Sequence, residues 1–355
     1  MARNMPLLAR YAESLFWLAR YLERVENVAR LIDVTQTFES PGREAESWYS
    51  LIRINANEED FAKRGMTPDA DQVKRYYLLD RENPNSIPAA MEAARTNART
   101  LRPVISTEMW MQLNMFYREL LTIREEELAG DRLSRLCSRV KMGVQEHTGI
   151  TEGTLFRDQG YYFYMLGRLI ERADQVTRLL DIRYHLLVPV GDEQRRVAEL
   201  TQWGGVLRGA AGYHAFRRVA PPDFKPVDVV AFLLTNRSFP RSVLLCVGQL
   251  EWHLTHLRSI YGLRSTVQAL ERVEEIRAAL LGRPVESMIS DGLHDFIDAI
   301  QRDLIILASE IGTAFFRDWR PLANKVEPAG SSAALAGAPP AQTQGQRGMT
   351  QTQSG

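Results

Sequence analysis

Residues 11–34 of this 355-residue chain read YAESLFWLARYLERVENVARLIDV, and the pattern in this stretch decides the fold class. Apolar side chains recur there at spacings of three and four residues, from Leu15 to Ile32, and no glycine or proline interrupts them. This spacing puts the apolar side chains in one stripe along an α-helix. The stretch therefore predicts a long helix that runs from Tyr11 to Val34.

The same period recurs through most of the remaining chain. No segment shows sustained alternation of apolar and polar residues between turn residues, which is the pattern of a half-buried β-strand. We therefore expect an all-α protein. The further predicted helices cover residues 43–63, 69–79, 84–102, 108–128, 133–140, 159–187, 193–208, 227–234, 241–260, 265–281 and 292–316.

The first helix has a second copy later in the chain. Residues 165–182, MLGRLIERADQVTRLLDI, align with residues 17–34 at an offset of 148, and eight of the eighteen aligned positions are identical. The apolar stripe keeps the same register in both copies, which indicates a repeated structural unit. The identical pairs are Leu18/Leu166, Arg20/Arg168, Glu23/Glu171, Arg24/Arg172, Val28/Val176, Arg30/Arg178, Leu31/Leu179 and Asp33/Asp181.

A second match supports the repeat. Residues 73–87 align with residues 229–243 at an offset of 156, in the same order along the chain as the first match. Two ordered matches predict an internally duplicated helical bundle with two pseudo-equivalent halves. We expect the halves to be residues 1–150 and 151–322, which together form one domain, followed by a tail over residues 323–355.

The second match contains a motif that is explained locally. Pro84 and Ser86 recur as Pro240 and Ser242. Proline fits the first position of a helix, where its missing N–H costs nothing, and Asn83 before it is a suitable N-cap. The serine can accept a bond from a free backbone N–H in the first turn. We therefore expect both halves to begin a long helix in the same way.

The polar face of the first helix carries a charged cluster. Arg20, Glu23, Arg24 and Asn27 lie opposite the leucine stripe on a helical projection. A solvated face with ion pairs within the helix, such as Arg20–Glu23 and Glu26–Arg30, would also give this pattern. Such a face tolerates Lys for Arg and Asp for Glu, however, and the Glu-Arg pair and its flanking arginines are unchanged in the second copy. We therefore predict a geometric role for Glu23 and Arg24 and for their counterparts Glu171 and Arg172, while Asn27 has changed conservatively to Gln175.

The duplication suggests how these charges meet. If the two copies pack about a pseudo-twofold axis, Glu23 contacts Arg172 while Glu171 contacts Arg24. We predict a partly buried network of bidentate ion pairs at the centre of the molecule. Such a network adds specificity more reliably than it adds stability.

Composition narrows the function classes. The chain has 44 Lys+Arg against 44 Asp+Glu, so its total charge gives no general attraction to phosphate, and we expect neither a nucleic-acid partner nor a membrane partner. Only five basic residues are lysines, which leaves 39 arginines. Arginine binds carboxylates bidentately, so this excess predicts fixed ion pairs, although a GC-rich genome produces the same bias.

The remaining sequence signals concern the compartment. Two cysteines, Cys137 and Cys246, cannot make a disulfide framework, and no secretory signal is visible at the start. The longest apolar run, residues 229–234, is too short to span a bilayer. We expect a soluble protein of a reducing compartment, the cytoplasm. Residues 328–355 are mainly Ala, Gly, Pro, Ser, Gln and Thr, and we expect them to be disordered.

Other candidate sites are weaker. His253 and His256 share one helical face, and Asp291 with His294 could complete a metal site. The di-iron pattern of helical bundles needs paired Glu-x-x-His, which this sequence lacks, so we expect non-ligand histidines and predict no metal and no cofactor. Phosphate-loop and nucleophile-elbow motifs are also missing. Glycines 204, 205, 209 and 212 indicate close helix packing or an irregular loop, and the aromatic run 161–164 indicates core.

The run LARYAESLFWLARYLERVENVARLIDV (residues 8–34) resembles the start of the bacterial alpha-E family. The blocks NPNSI (83–87), ARTNAR (94–99), STEMW (106–110) and LN (113–114) look like that family's middle blocks. Residues 157–173 look like its second Glu-Arg block. The similarity runs in order over about residues 7–320, with Ala19 where the family would have Gly and Gln159 where it would have an acid.

The resemblance implies a context rather than a reaction. Alpha-E proteins occur alone or fused to circularly permuted ATP-grasp proteins, in operons with those proteins, transglutaminase-like peptidases and a proteasome-like hydrolase. On this basis we expect an accessory or substrate-presenting helical subunit of a system that makes or processes peptides or amides. Its arginines would grip carboxylates or an acidic partner face, and its glutamates would orient them. The residues assigned to substrate or partner binding are Arg20, Glu23, Arg24, Asn27, Arg168, Glu171 and Arg172.

The alternative is an enzyme of peptide or amide metabolism. Glu23 or Glu171 would then act as a general base in a central cleft. A general base needs a pKa raised by burial, whereas an adjacent arginine lowers it. An unpaired glutamate in a deep pocket would favour the enzyme, and a filled, fully paired network would favour the accessory subunit.

Overall fold

The computed structural model describes residues 7–38, 44–186, 193–221 and 223–316, with the side chains of 183–199 left out. These residues lie in the first of two units into which the chain divides, residues 1–324, and the predicted tail over 323–355 falls outside the described residues. Within the described ranges there are helices and no β-strand, which confirms the all-α prediction. The α-helices are α1 (Ala9–Thr37), α2 (Glu44–Ile54), α3 (Glu58–Lys63), α4 (Ala70–Leu78), α5 (Ile87–Thr100), α6 (Thr107–Leu120), α7 (Asp131–Thr154), α8 (Gln159–Leu186), α9 (Glu193–Gly209), α10 (Tyr213–Val219), α11 (Pro226–Thr235), α12 (Val243–Tyr261), α13 (Val267–Leu281), α14 (Val285–Ser290) and α15 (Leu293–Phe315).

Helices α1 and α8 form the centre of the bundle. They pack against each other, and α1 also contacts α5 and α7, while α8 contacts α12 and α15. Helix α6 lies against α5 and α7, and α13 lies against α12 and α15. Because neighbours cover α1 on several sides, the polar side chains of Glu23 and Asn27 are buried together with the leucine stripe. The packing therefore brings the polar faces of the central helices into the interior.

Gly167 sets how closely the two central helices approach. A Cβ atom on Gly167 would lie 2.1 Å from the carbonyl oxygen of Phe16, so a larger residue would push α8 away from α1. By the alignment, the corresponding residue of α1 is the buried Ala19. One glycine on one helix is enough to give backbone contact at this crossing.

The two predicted helix starts are alike, but each lies later than the sequence indicated. Ser86, rather than Asn83, caps α5 by accepting a hydrogen bond from the Ala89 N–H at 3.2 Å. Ser242 caps α12 in the same way at the Leu245 N–H, also at 3.2 Å. Asn83 is fully buried and donates to the Tyr76 carbonyl at 3.0 Å, so it fixes the loop before the helix.

Other boundaries also differ from prediction. The helix expected over residues 108–128 ends at Leu120, and Glu125–Leu128 form a separate 3-10 helix. The helix expected over residues 43–63 is broken into α2 and α3 at Asn55–Asn57, where Ala56 has a φ of 51° and the Asn55 side chain donates to the Leu51 carbonyl. Helix α7 continues well past residue 140 to Thr154. The prediction ended it too early because two polar residues, His147 and Thr151, lie on its buried face and interrupt the apolar spacing. The short helices α10 and α14 were not predicted.

The smaller sequence features serve packing. All four aromatic residues of 161–164 are buried, as expected. A Cβ on Gly209 would lie 3.1 Å from Leu179, and one on Gly212 would lie 3.0 Å from Phe239, so these glycines allow close helix contact. No helix in the described ranges is long and apolar enough to cross a membrane.

Candidate functional site

Glu171 on α8 is held by two arginines of α1. Its Oε2 atom accepts hydrogen bonds from Arg20 Nε at 2.7 Å and Arg24 Nη2 at 3.2 Å, and its Oε1 atom accepts one from Arg24 Nε at 2.8 Å. Gln175, one turn along α8, donates to the same Oε1 atom at 3.1 Å. Each carboxylate oxygen therefore has two donors, and the side chain is almost completely buried.

Glu23 on α1 is held from the other side. Arg172 of α8 donates from Nε to Oε1 at 2.8 Å and from Nη2 to Oε2 at 2.9 Å, which is a bidentate pair. Arg241, in the loop before α12, donates to the same Oε1 atom. Arg168 lies farther away, with its Nε atom 3.7 Å from Oε2, and its Nη1 atom lies 3.6 Å from Glu152.

The predicted cross-pairing is therefore confirmed. Glu23 contacts Arg172 while Glu171 contacts Arg24, so each central helix provides the glutamate of one pair and the arginine of the other. The ion pair within one helix between Arg20 and Glu23 does not form, because Arg20 reaches across to Glu171. The cluster is also more deeply buried than the partly buried arrangement that the sequence suggested, since the surrounding helices cover the polar face of α1.

Among the network residues that sequence reasoning missed, two lie in loops before helices. Arg241 bridges Glu23 to Glu26, donating to Glu26 Oε2 at 2.9 Å. Asn85 accepts a hydrogen bond from Arg24 Nη1 at 3.0 Å. Both precede the serine that caps the next helix, and they occupy aligned positions of the second sequence match, which is the signal that could have identified them.

The network continues along both central helices. Glu26 pairs with Arg30 one turn away, as the sequence indicated, and also accepts from Gln145 of α7 at 3.2 Å. On α8, Arg178 donates to Asp174 at 2.9 Å. Asn27, assigned to the site from sequence, is buried beside this cluster, and its Nδ2 atom has no hydrogen-bond partner.

The electrostatics keep both central carboxyls ionised. Burial by itself raises the pKa of Glu23, but the charges of Arg172 and Arg241, with the hydrogen bond from Arg172, outweigh it and hold that pKa well below its ordinary value. For Glu171, burial is likewise outweighed by Arg24 and Arg20, which lower its pKa to about 2. At neutral pH neither glutamate is able to take up a proton.

This arrangement determines which chemistry is available. A general base needs an accessible lone pair and a pKa near the working pH. Every oxygen of Glu23 and Glu171 already accepts from a guanidinium, and both pKa values are lowered. The network is therefore suited to holding α1 and α8 together.

A third Glu-Arg dipeptide shows that the sequence pair alone does not create the network. Glu271 and Arg272 lie on α13, where Glu271 is exposed. Arg272 contacts Glu275, Asp303 and Glu310 near the surface. Position on a central helix, rather than the dipeptide, is what puts Glu23 and Glu171 at the core.

The histidines considered for a metal site have other contacts. His253 is buried against the ring of Trp252, and burial followed by the charge of His256 lowers its pKa to about 4. His294 donates from Nδ1 to Asp181 at 2.8 Å. Within the part of the chain that the structure describes, no group of three or more His, Cys, Asp or Glu side chains is arranged to hold a metal ion.

Together the fold and the site define a class: an all-helical domain built on two central helices that exchange Glu-Arg ion pairs. The chain belongs to the alpha-E family, described as a predicted alpha-helical domain with a conserved ER motif, and the family model matches residues 7–316. The family resemblance seen in the sequence is thus confirmed. Glu23-Arg24 and Glu171-Arg172 are the Glu-Arg pairs that lie on the two central helices.

Relatives of the chain include the uncharacterized protein Mb2597 of Mycobacterium bovis and the uncharacterized protein Rv2567 of Mycobacterium tuberculosis. Each is 24% identical over 312 residues, which cover 80% of this chain and 34% of the relative. The chain thus spans about a third of the length of these curated relatives. No solved structure matches the chain.

Proposed function

We propose that this protein is a helical subunit without catalytic groups of its own, which presents substrate or docks a partner in an ATP-grasp system for peptide or amide bond formation. The observation that carries the proposal is the saturation of the central carboxylates. Each oxygen of Glu23 and Glu171 accepts a hydrogen bond from an arginine inside the core. A filled, paired network supports a scaffold and argues against Glu23 or Glu171 as a general base.

The relatives support a role beside other protein parts. In Mb2597 and Rv2567 the matched region accounts for 34% of the length, so the helical region is there joined to a longer chain. The alpha-E resemblance proposes a circularly permuted ATP-grasp protein as the partner, with a transglutaminase-like peptidase or a proteasome-like hydrolase as further components. Two buried free thiols, Cys137 and Cys246, fit a reducing cytoplasmic compartment.

The repeat in the sequence belongs to the same proposal. Residues 1–150 and 151–322 are proposed to be duplicated halves. Three observations support this: the reciprocal ion pairs, the two serine caps, and the matching neighbours of α1 and α8. The scaffold would then be two copies of one helical unit that share a central charged network.

The arginines assigned to substrate or partner binding take a different role in this proposal. Arg20, Arg24 and Arg172 already bind glutamates, so gripping an external carboxylate would require these buried pairs to break. Arg168 is the exception, because its Nε atom is buried without a hydrogen-bond partner. Of the arginines in the predicted set, it is the one that could bind a substrate carboxylate without breaking a short ion pair.

Co-purification with the ATP-grasp protein of the same organism tests the proposal. We expect a stable complex with the wild type. Glu23→Gln and Arg172→Ala should bind and support product formation at the wild-type level per folded molecule, at a temperature below their unfolding midpoints. The matched control is Glu271→Gln, in the exposed Glu-Arg dipeptide.

Two results would count against this function. One is no complex with the folded wild-type protein. The other is a folded Glu23→Gln variant that binds the partner normally but yields no product, because that result would assign the glutamate to the chemistry.

A further inference from the structure

The outer face of α6 is apolar where a surface helix is ordinarily polar. Met111 and Met115 lie one turn apart and are 56% and 67% exposed, whereas Gln112 on the inner side is buried. The core requires Gln112, because it donates to the Gly143 carbonyl and is hydrogen-bonded to His147. Core packing explains the buried glutamine and leaves the two exposed methionines without a structural role.

Helix α7 continues this apolar surface. Phe116 of α6 packs on Gly143 of α7, and Glu119 pairs with Arg139 at 3.1 Å. Met115 and Met142 are the chain neighbours of Phe116 and Gly143, so both stand next to this α6–α7 contact. Met142 is 67% exposed. A shallow cavity of about 370 Å³ adjoins it on the outer side of α7. The cavity is lined by Ser134, Arg135, Ser138, Arg139 and Met142.

On the other side of α6, arginines from the α5 region lie over aromatic rings. Arg95 donates to Asn114 at 2.7 Å and lies 5.1 Å from the ring centre of Tyr117. Arg102 lies 5.6 Å from the ring centre of Trp110. These contacts hold the guanidinium groups in place, so binding costs less side-chain entropy. Among the described residues, Arg95 and Arg102 meet aromatic rings and neither has a carboxylate at ion-pair distance.

We propose that this surface, the Met-Arg face, docks a partner protein that presents apolar side chains flanked by carboxylates. The Met-Arg face is defined by Arg95, Arg102, Met111, Met115 and Met142. Methionine, tryptophan, tyrosine and arginine are the residues enriched at protein interfaces, and methionine adapts to an irregular partner surface. The fixed, uncompensated guanidinium groups select for carboxylates, while the exposed methionines require apolar contact. The inference rests on the proposed function, because it assigns the surface through which the subunit meets its ATP-grasp partner.

The chain's own tail fits this surface poorly, because Glu327 is the one Asp or Glu in residues 323–355. A second copy of the chain is a different occupant. Helices α13 to α15 carry acidic residues and the exposed Ile305 and Ile306. Self-association through these helices is therefore one outcome of the test.

The test measures binding of the purified ATP-grasp protein to the full-length chain. Met115→Asp and the double variant Arg95→Ala/Arg102→Ala should each weaken the Kd by about tenfold or more, as expected for interface residues. The matched control is Val219→Asp on α10, where the valine is also 67% exposed. It should leave the Kd unchanged. Raising the salt from about 50 to about 500 mM should weaken wild-type binding more than that of the double arginine variant.

The outcomes separate the two proposals. If the wild type forms no complex, the proposed function is contradicted and the Met-Arg face loses its partner with it. If a complex forms and Met115→Asp binds as tightly as Val219→Asp, the function stands and the Met-Arg face is wrong. If light scattering shows a dimer that Met115→Asp dissociates, the occupant is a second copy, which also overturns the inference.

Discussion

At the scale of single residues, two opposed effects act on Glu23 and Glu171. Burial raises a carboxyl pKa, and guanidinium groups within hydrogen-bonding distance lower it. The arginines have the larger effect on the pKa at both positions, because each glutamate contacts at least two of them. Removing one partner from such a buried pair leaves an uncompensated charge in the core, which costs far more than the net stability that the pair contributes.

The variant Glu171→Gln tests the cost of removing one charge from the buried network. The substitution leaves Arg20 and Arg24 buried without their counter-charge. It should lower the free energy of unfolding by about 3–5 kcal/mol, measured by urea unfolding at neutral pH. The control Glu271→Gln alters an exposed glutamate and should leave the urea midpoint unchanged. An equal loss of unfolding free energy in the two variants would show that the buried ion pairs of Glu171 matter no more than an exposed glutamate.

Acid sensitivity should appear in two pH windows. Burial, and then the charge of Arg168, lower the pKa of His147 from 6.5 to about 4. As the pH drops from 6.5 to about 4, the imidazole is therefore protonated in the unfolded chain but not in the folded one, and the free energy of unfolding falls. For Glu171, burial is outweighed by Arg24 and Arg20, and the folded pKa is about 2 against 4.5 unfolded. Its contribution is complete above pH 4.5 and is lost as the pH falls toward 2.

His147→Gln separates the two windows. The variant should lose the share of the fall in unfolding free energy between pH 6.5 and about 4 that His147 causes, while His253, whose pKa is also lowered to about 4, keeps its share. The fall below pH 4.5 should be unchanged. Urea midpoints of the wild type and the variant at a series of pH values give the comparison. An unchanged slope in the upper window would show that His147 is not held neutral by the fold.

At the scale of helices, the α1–α8 crossing depends on one glycine. Gly167→Ala places a Cβ 2.1 Å from the Phe16 carbonyl oxygen, so α8 must shift and the ion pairs across the crossing must lengthen. The expected loss is about 1–3 kcal/mol, as for overpacked cores, read from urea unfolding. Gly149→Ala on α7 meets nothing within 4 Å and should instead stabilise the protein by about 0.5–1 kcal/mol. A neutral Gly167→Ala would contradict the close crossing.

The long helices were predictable from apolar spacing, but the short helices α10 and α14 and several helix ends were not. The predicted helix over 43–63 breaks where Asn55 and Asn57 bond to the backbone and to Tyr77, which are contacts that an apolar count does not register. In α7, the buried His147 and Thr151 take positions that the pattern treats as polar surface. Local polar bonds and tertiary burial decide these ends, and neither is visible in hydrophobic periodicity.

The candidate site was likewise predictable only in part. The repeated Glu-Arg pairs and the register of the repeat were enough to predict that Glu23 meets Arg172 and Glu171 meets Arg24. Arg241 joins Glu23 across 218 residues from a loop, so no helical spacing could predict it. The depth at which the network is buried could not be predicted either, because it depends on how neighbouring helices cover the polar face of α1.

At the scale of the whole molecule, the central claim is that the Glu-Arg pairs tie α1 to α8 and thereby connect residues far apart in sequence. Helices α1 and α8 are in contact, and Glu23 and Arg172 are 149 residues apart. Part of the balance between arginines and acidic residues in this chain therefore comes from ion pairs in the core rather than on the surface. The network should be lost as a unit when the two central helices separate.

A double-mutant cycle of Glu23→Gln and Arg172→Met, followed by urea unfolding, tests this claim most directly. We predict a coupling free energy of about 2–3 kcal/mol, at the upper end of the range for contacting residues. Pairing Glu23→Gln with Arg139→Met, which alters an arginine on the outer side of α7, should give additive effects. A coupling of less than about 0.5 kcal/mol between Glu23 and Arg172 would contradict the account.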